Sequence, residues 1–440
     1  MHPLTLPAEP MHRWASDLFP IHRSLTGEGV RQTLAYLQNL LPGLRVESVA
    51  SGTCAFDWTV PDEWTVRAAS ITHESGERVV DIADHTLHLM GYSVPVDATL
   101  PLEELQEHLH SLPEQPDAIP YVTSYYERRW GFCMTHRRRA QLKPGLYRVR
   151  IDTDLSPGVM NYGELILPGS DTSEILLSTY ICHPSMANNE LSGPVVTAAL
   201  ARWLARLPAR RHTYRIVFVP ETIGSLVYLS RHLEVMRRSM VAGFVVTCVG
   251  DERAYSLMPS RQGNSLADRA ARAALTGFAE PYTEYSFLER GSDERQYCSP
   301  RADLPVASIM RSKYGTFPEY HTSLDDLSFV TQQGLEGALR VYQRCLWTLE
   351  HNETYRATCV GEPQLVRHGL MPGASHKGTA IEPRRLLNIL AYADGTRDLI
   401  ALAQTIGVDV VECTNLAQLL LERGLLEIAG NESWSTAVPC

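Results

Sequence analysis

Two histidines far apart in the chain, together with carboxylates that recur after short apolar runs, are the residues here that can do chemistry. His183 lies in Ser178-Thr179-Tyr180-Ile181-Cys182-His183-Pro184-Ser185, and Glu190 follows on the same stretch, just before Leu191-Ser192-Gly193. An imidazole and a carboxylate on one loop are the beginnings of a metal site. Glu221 stands in Pro220-Glu221-Thr222-Ile223-Gly224-Ser225, Asp251 in Gly250-Asp251-Glu252-Arg253, and His321 in Tyr320-His321-Thr322-Ser323-Leu324-Asp325. A dense polar run, Arg290-Gly291-Ser292-Asp293-Glu294-Arg295-Gln296-Tyr297, lies between apolar stretches. Two histidines and several carboxylates at one sheet edge fit a metal hydrolase. The histidines hold the ion, a carboxylate completes its shell, and a free glutamate deprotonates water. A bound divalent ion lowers the pKa of its water towards ~7, so a nearby glutamate can act as base near neutral pH. Plainer roles compete with these. A loop histidine can be a hydrogen-bonded surface residue, and Glu221 can be a carboxylate favoured by a helix N-terminus. Asp251 can form a turn, and Asp325-Asp326 can cap a helix.

The elements that must hold these residues are legible in the apolar rhythm. Glu174-Ile175-Leu176-Leu177 opens a strand buried on both faces, and Pro194 to Leu204 reads as a helix with proline in its first turn. His183 therefore leaves the carboxyl end of a central strand, where open α/β sheets bind ligands. Tyr214–Val219, Gly243–Val249 and Pro305–Met310 are further strands; a helix runs from the Glu221 segment through Met236, and others span Ser265–Leu275 and Thr331–Leu349. This alternation predicts an α/β fold with a mostly parallel sheet flanked by helices. Two helices precede it between Trp14 and Leu41, broken at Thr26-Gly27-Glu28-Gly29. From Cys54 to about Pro101 short alternating segments indicate a β-rich insertion, followed by a helix over Leu102–Leu112 and strands at Tyr147–Ile151 and Gly163–Leu167. The expected domain limits are 1–53 with 125–353 for the α/β domain and 54–124 for the insertion. A linker rich in Gly, Pro and His over 354–380 precedes a winged-helix-like domain over 381–440, with short helices around Leu386, Leu399 and Leu416 and a hairpin turn at Arg423-Gly424.

Composition narrows the function classes. A chain of 440 residues is long enough for two or three domains, and its net charge of −10 argues against a general nucleic-acid binder. The C-terminal domain is itself acidic, with eight Asp/Glu against four Lys/Arg, whereas a DNA reader needs a basic face. It therefore suits packing or protein contact, in a homo-oligomer or with a partner. Arg137-Arg138-Arg139 reads as a solvated turn. No stretch reaches the ~20 apolar residues of a membrane span, and the proline-broken N-terminus shows no secretory signal. Nine cysteines without a paired framework fit a reducing cytoplasm, so a cytoplasmic protein is expected.

The order of the motifs resembles the co-catalytic zinc aminopeptidases. It is more similar still to the aminopeptidase-like proteins associated with polysaccharide or natural-product biosynthesis. The resemblance runs over nearly the whole chain. It includes Phe56-Asp57-Trp58-Thr59-Val60-Pro61 in the insertion and the stretch Gln115-Pro116-Asp117-Ala118-Ile119-Pro120-Tyr121-Val122-Thr123-Ser124-Tyr125-Tyr126, and it continues through the His183, Glu221, Ser292 and His321 motifs to the winged helix. It implies a metal-dependent amide or peptide hydrolase acting on a small biosynthetic intermediate, such as an aminoacylated sugar or a peptidyl natural product.

The site departs from the aminopeptidase pattern in three places. The resemblance implies a bridging aspartate where Asn189 stands, a second glutamate where Thr222 follows Glu221, and an aspartate ligand where Thr247 stands. His321 matches the final histidine ligand. One zinc ion, or another divalent metal, held by His183, His321 and a carboxylate (Glu190 first, Asp251 second) is then the simplest arrangement, with Glu221 as general base. Arg290, Asp293 and Arg295 are candidates for a substrate's charged ends or for a structural ion network. Tyr320 can donate to a tetrahedral oxyanion or pack. Asn189, Thr222 and Thr247 also admit an alternative, a non-catalytic binding or scaffold protein in a biosynthetic assembly.

Overall fold

Strands buried along almost their whole length become the centre of an eight-stranded sheet. In this computed structural model residues 9–278, 281–370 and 381–429 are described. The sheet strands in chain order are β1 (Arg45–Ala50), β2 (Val159–Leu167), β3 (Glu174–Tyr180), β4 (Thr213–Val219), β5 (Met240–Val245), β6 (Ser256–Met258), β7 (Thr283–Glu284) and β8 (Val306–Met310). Their spatial order is β1-β2-β4-β3-β5-β8-β6-β7. The four central strands β4, β3, β5 and β8 are parallel, whereas β1, β2 and β6 join antiparallel. The sheet is thus mixed, with a parallel heart. All but the first residue of β3 and of β4 is buried, as expected for strands covered on both faces.

Crossover helices follow the central strands. Helix α1 (Ser192–Ala205) follows β3 and carries Pro194 in its first turn; α2 (Ile223–Ser239) follows β4. Gly193 admits a close approach at the start of α1, since a Cβ there would stand 2.3 Å from the Val246 carbonyl oxygen and 2.4 Å from Thr179 Oγ1. The third expected strand, Gly243–Val249, is shifted to Met240–Val245; Val246 to Val249 leave the ladder and form the turn that carries Gly250-Asp251.

The β-rich insertion is a four-stranded antiparallel sheet in the order Arg78–Asp81, Glu63–His73, Leu146–Ser156, Val96–Pro101. Leu146–Ser156 therefore pairs within the inserted sheet, although it lies beyond the expected limits of 54–124. Its alternation explains this: Tyr147, Val149, Ile151 and Thr153 are buried while Arg148, Arg150 and Asp154 face out, the pattern of a sheet covered on one side. The helix expected over Leu102–Leu112 stops at Gln106, and Leu109–His110 instead pairs with Phe132–Cys133.

Contacts divide the chain into two compact units, residues 1–268 with 281–340 and residues 269–280 with 341–440. The second holds a three-stranded sheet with Thr354–Ala357 between Asp394–Asp398 and Leu426–Ile428, and the helices Ile381–Tyr392, Leu399–Ile406 and Val410–Glu422. Asp398 and Asp409 cap the last two helices through their side chains, and Gly407 ends the middle one with a left-handed φ of 65°. This is the winged helix. Thr354–Ala357 belongs to its sheet, so the first residues of the expected linker are a strand; residues 371–380 lie outside the described residues. Among the described residues no single helix is long and apolar enough to cross a membrane.

Candidate active site

The carboxyl ends of β3 and β4 bring His183 and Glu221 into one cleft of about 410 Å³, also lined by Tyr121, Tyr125, Arg295 and His321. His183 Nδ1 lies 2.7 Å from Glu190 Oε2, and its Nε2 lies 3.6 Å from Glu221 Oε2. The His183 and His321 ring centroids are 5.5 Å apart. Two imidazoles sharing one tetrahedral ion at ordinary metal–nitrogen distances have centroids roughly 5 Å apart. The separation in the chain is closed by the fold.

Glu190 reaches His183 because residues Ala187–Leu191 form one wide helical turn, in which the Leu191 N–H donates to the Met186 carbonyl. Such turns carry an extra residue and recur at functional sites. Asp325 holds its start: Oδ1 accepts from the Asn188 N–H at 2.6 Å and Oδ2 from the Asn189 N–H at 2.8 Å. Asp325 is thus a cap, as its sequence context suggested, but for a turn more than a hundred residues away in the chain.

Glu221 is aimed by a strained link. Thr222 has φ 65° and ψ −73°, and the Ile223 N–H donates back to the Glu221 carbonyl at 2.8 Å. This is a γ-turn of the rare kind, costing of order 1–3 kcal/mol unless its surroundings hold it. They do. Asp293 Oδ1 accepts from the Thr222 N–H and from Ser225 Oγ, both at 2.8 Å, and Arg295 donates to Thr222 Oγ1 at 2.7 Å. The Glu221 N–H donates to Cys182 Sγ at 3.2 Å.

His321 sits at φ 57°, its carbonyl accepting from the Tyr121 N–H, and Ser323 N–H donates to the Ile119 carbonyl. This pairing stitches the segment between the inserted-sheet strands Val96–Pro101 and Leu146–Ser156 to the His321 loop. It places the Tyr121 ring 5.1 Å from that of His183 and 5.2 Å from that of His321. Tyr121 and Tyr125 share a hydroxyl–hydroxyl hydrogen bond of 2.7 Å. Tyr320 stacks on His321 with centroids 3.9 Å apart, and it is not among the cleft-lining residues.

Electrostatics divide the two histidines. Burial opposes a charge on His183, but Cys182 and Glu190 beside it outweigh this and hold its pKa well above the usual histidine value. Burial, helped by the His183 charge, pushes His321 down to about 3, so its ring is a neutral base. Burial raises the Glu221 carboxyl above its ordinary range against the pull of His183 and Arg295. That is the direction a general base needs. Cys182 is pushed up to about 11 by burial.

Ligand atoms of Cys182, His183 and Glu190, all buried, lie within 4.8 Å of one another, a set that can hold a metal ion. Glu190 Oε1 is buried without a hydrogen-bond partner in this structure. A buried carboxylate oxygen left bare is costly in protein alone and is what a cation would satisfy. The donors of nitrogen, oxygen and sulfur fit a borderline transition metal such as zinc.

Other residues singled out by sequence fall elsewhere. Both oxygens of Asp251 are taken, Oδ2 by Asn188 Nδ2 and the Ser312 N–H, Oδ1 by Ser312 Oγ and the Arg253 N–H. Asp251 is therefore a buried tie between loops and stands outside the His183 cluster. Arg290 is exposed and lies over the Phe287 ring, away from the cleft. Asp293 is buried and clamps Thr222, whereas Arg295 does line the cleft. Cys182 and the Tyr121–Tyr125 pair were not expected in the site. The tyrosines stood in a family-like stretch that gave no chemical cue, and Cys182 stood beside His183 as one scattered cysteine among nine.

The family described as a domain of unknown function, DUF4910, matches residues 12–352, and a winged helix-turn-helix family matches residues 353–428. A Clostridium acetobutylicum protein described as a "putative polysaccharide biosynthesis protein with aminopeptidase-like domain" is 39% identical over 417 residues, 94% of each chain. The crystal structure of a "putative peptidase" from Clostridium acetobutylicum superposes with a TM-score of 0.89 at 37% identity, covering 95% of this chain and 96% of that one. A zinc aminopeptidase from Bacillus subtilis shares the fold, with a TM-score of 0.57 at 13% identity over 79% of this chain and 95% of its own. An aminopeptidase-like α/β domain with a β-rich insertion, a metal-ligand cluster at its sheet edge and an appended winged helix thus make this chain a member of the DUF4910 family.

Proposed function

We propose that the protein is a metal-dependent amide or peptide hydrolase of aminopeptidase type, acting on a small biosynthetic intermediate such as an aminoacylated sugar or peptidyl natural product. One observation carries this reading: His183, His321 and Glu221 share one cleft, with the rings 5.5 Å apart and Glu221 3.6 Å from His183. His183 and His321 would hold the ion, with Glu190 completing the set or fixing the His183 ring through Nδ1, and with the Cys182 thiol alongside. The ion, zinc or another divalent metal, supplies Lewis-acid polarisation of the scissile carbonyl. Glu221 takes the proton of the attacking water and passes it to the departing amine. Burial raises the pKa of Glu221 above the ordinary carboxylate value, the direction that favours this proton transfer. Burial holds Tyr121 and Tyr125 protonated, so their linked hydroxyls can donate towards a developing oxyanion, and they are better placed for this than Tyr320. Arg295 offers a guanidinium to a substrate carboxylate.

The description of the Clostridium acetobutylicum relative supports a biosynthetic substrate over bulk protein digestion. The competing reading, a binding or scaffold protein without catalysis, draws on Asn189, whose amide is tied to the Tyr180 hydroxyl at 2.6 Å where a bridging carboxylate would be anionic. Metal analysis separates the two. Protein purified with zinc, manganese or cobalt supplied should carry about one ion per chain, and His183→Ala should lose it. Wild type that holds none in all three sinks the hydrolase. A panel of aminoacyl anilides and aminoacyl sugars then reads the reaction itself.

A further inference from the structure

A second recess of about 890 Å³ adjoins the cleft and shares the walls Trp58, Thr123, Tyr125 and Tyr126 with it. Two of these walls are aromatic faces turned to solvent: Trp58 is 41% and Tyr126 50% exposed. They meet edge to face with centroids 5.9 Å apart, and Tyr126 is pinned by its hydroxyl, which donates to the Thr59 carbonyl at 3.0 Å. A third face is Trp130, stacked on His108 with centroids 3.6 Å apart. Such surfaces cost solvation unless something covers them, and they are held rigid beforehand.

The polar groups of the recess are as telling. His110 is half-buried, and burial first, then Arg139 and His108, lower its pKa, so it is a neutral ring able both to donate and to accept. Neither the His110 ring nor the Arg128 guanidinium has a hydrogen-bond partner among the described residues, although both line the recess. Aliphatic lining is limited to Met90 and Val122. A lipid or aliphatic side chain would want the reverse balance. Flat aromatic faces set beside unpaired donors and acceptors suit a pyranose ring, which is apolar on one face and carries hydroxyls round its edge.

We infer that this recess is a carbohydrate subsite, holding one or two sugar rings of a substrate whose amide is presented to Glu221 next door. The assignment of the amide rests on the hydrolase reading above; the sugar site itself stands on the recess. The test uses the full-length protein, with binding followed by saturation-transfer NMR and tryptophan fluorescence. The probes are maltose, N,N′-diacetylchitobiose and digalacturonic acid, with N-acetyltyrosinamide representing a peptide. At least one disaccharide should bind in the millimolar range or better, and His110→Ala and Arg128→Ala should each weaken it about tenfold with unchanged melting temperature. Arg128 is exposed, so that variant folds regardless of its ligand role. If no disaccharide binds up to about 20 mM, if the variants bind as wild type does, or if only N-acetyltyrosinamide binds, the sugar subsite is wrong. Glu221→Gln and metal-stripped protein should keep the sugar. Sugar binding without cleavage of any aminoacyl sugar or anilide would leave this recess standing and remove the hydrolase. Cleavage of anilides without sugar binding would do the opposite.

Discussion

Glu221 is the residue on which the proposed chemistry turns, and burial raises its carboxyl above the ordinary carboxylate value, the direction a base needs. Glu221→Gln should lower kcat by about 10²- to 10⁴-fold while metal content stays at the wild-type level. A variant that lost metal and activity together would make Glu221 a ligand instead. Asp325 poses a different question at the same scale. Burial pushes its carboxyl up to about 7, against the pull of the backbone N–H groups of Asn188 and Asn189. The folded state therefore holds the proton that the unfolded chain releases near its ordinary value. The stabilisation is complete below about pH 4 and is lost as pH rises through 7, by at most about 4 kcal/mol. Asp325→Asn does not titrate there. Denaturant unfolding of both proteins should show wild type losing stability relative to the variant between pH 4 and 7, and parallel curves would refute the assignment.

At the scale of elements, the site is two strand ends, each followed by a turn that another segment has to hold. The wide turn Ala187–Leu191 depends on Asp325, and the γ-turn at Thr222 depends on Asp293 and Arg295. Removing Asp293 leaves the Thr222 N–H without its acceptor and the Ser225 hydroxyl with only the Thr222 carbonyl. Asp293→Ala should therefore cost about 1–3 kcal/mol of stability and lower kcat more than it changes KM, since it releases the strain that aims Glu221. Thermal unfolding and steady-state kinetics on a cleaved aminoacyl anilide read both effects. An unchanged kcat would show that the γ-turn holds without its clamp.

For the whole molecule, charge and metal make the predictions. A winged helix-turn-helix family matches residues 353–428, and from residue 381 on the chain carries eight Asp/Glu against four Lys/Arg. In fluorescence anisotropy at physiological salt, duplex DNA of mixed sequence should show no affinity tighter than the ~10⁻⁴ M of weak non-specific binding. Chelation should abolish turnover and lower the melting temperature without unfolding the protein. An ion present at a hundredfold its Kd stabilises by about 2.7 kcal/mol, and restoring the metal should restore both. A melting temperature indifferent to chelator would place no metal in the fold.

The sequence by itself determined the layered α/β order, the winged helix and the two histidine motifs. Those are carried by local pattern: the apolar runs of β3 and β4, the alternation of Tyr147 to Thr153, and the family-like strings around His183 and His321. It also set Asp251 second among the candidate carboxylate ligands and ended the insertion at residue 124, before Leu146–Ser156. Only the tertiary structure decided which polar atoms were already spoken for. Asp251 is saturated by Ser312 and Asn188, while Glu190 keeps an oxygen bare and His183 keeps Nε2 towards Glu221. The physical reason is that a carboxylate is a ligand, a cap or a tie according to the donors around it. For Asp251 three of its four donor contacts come from Asn188 and Ser312, sixty or more residues away, which no local spacing can report.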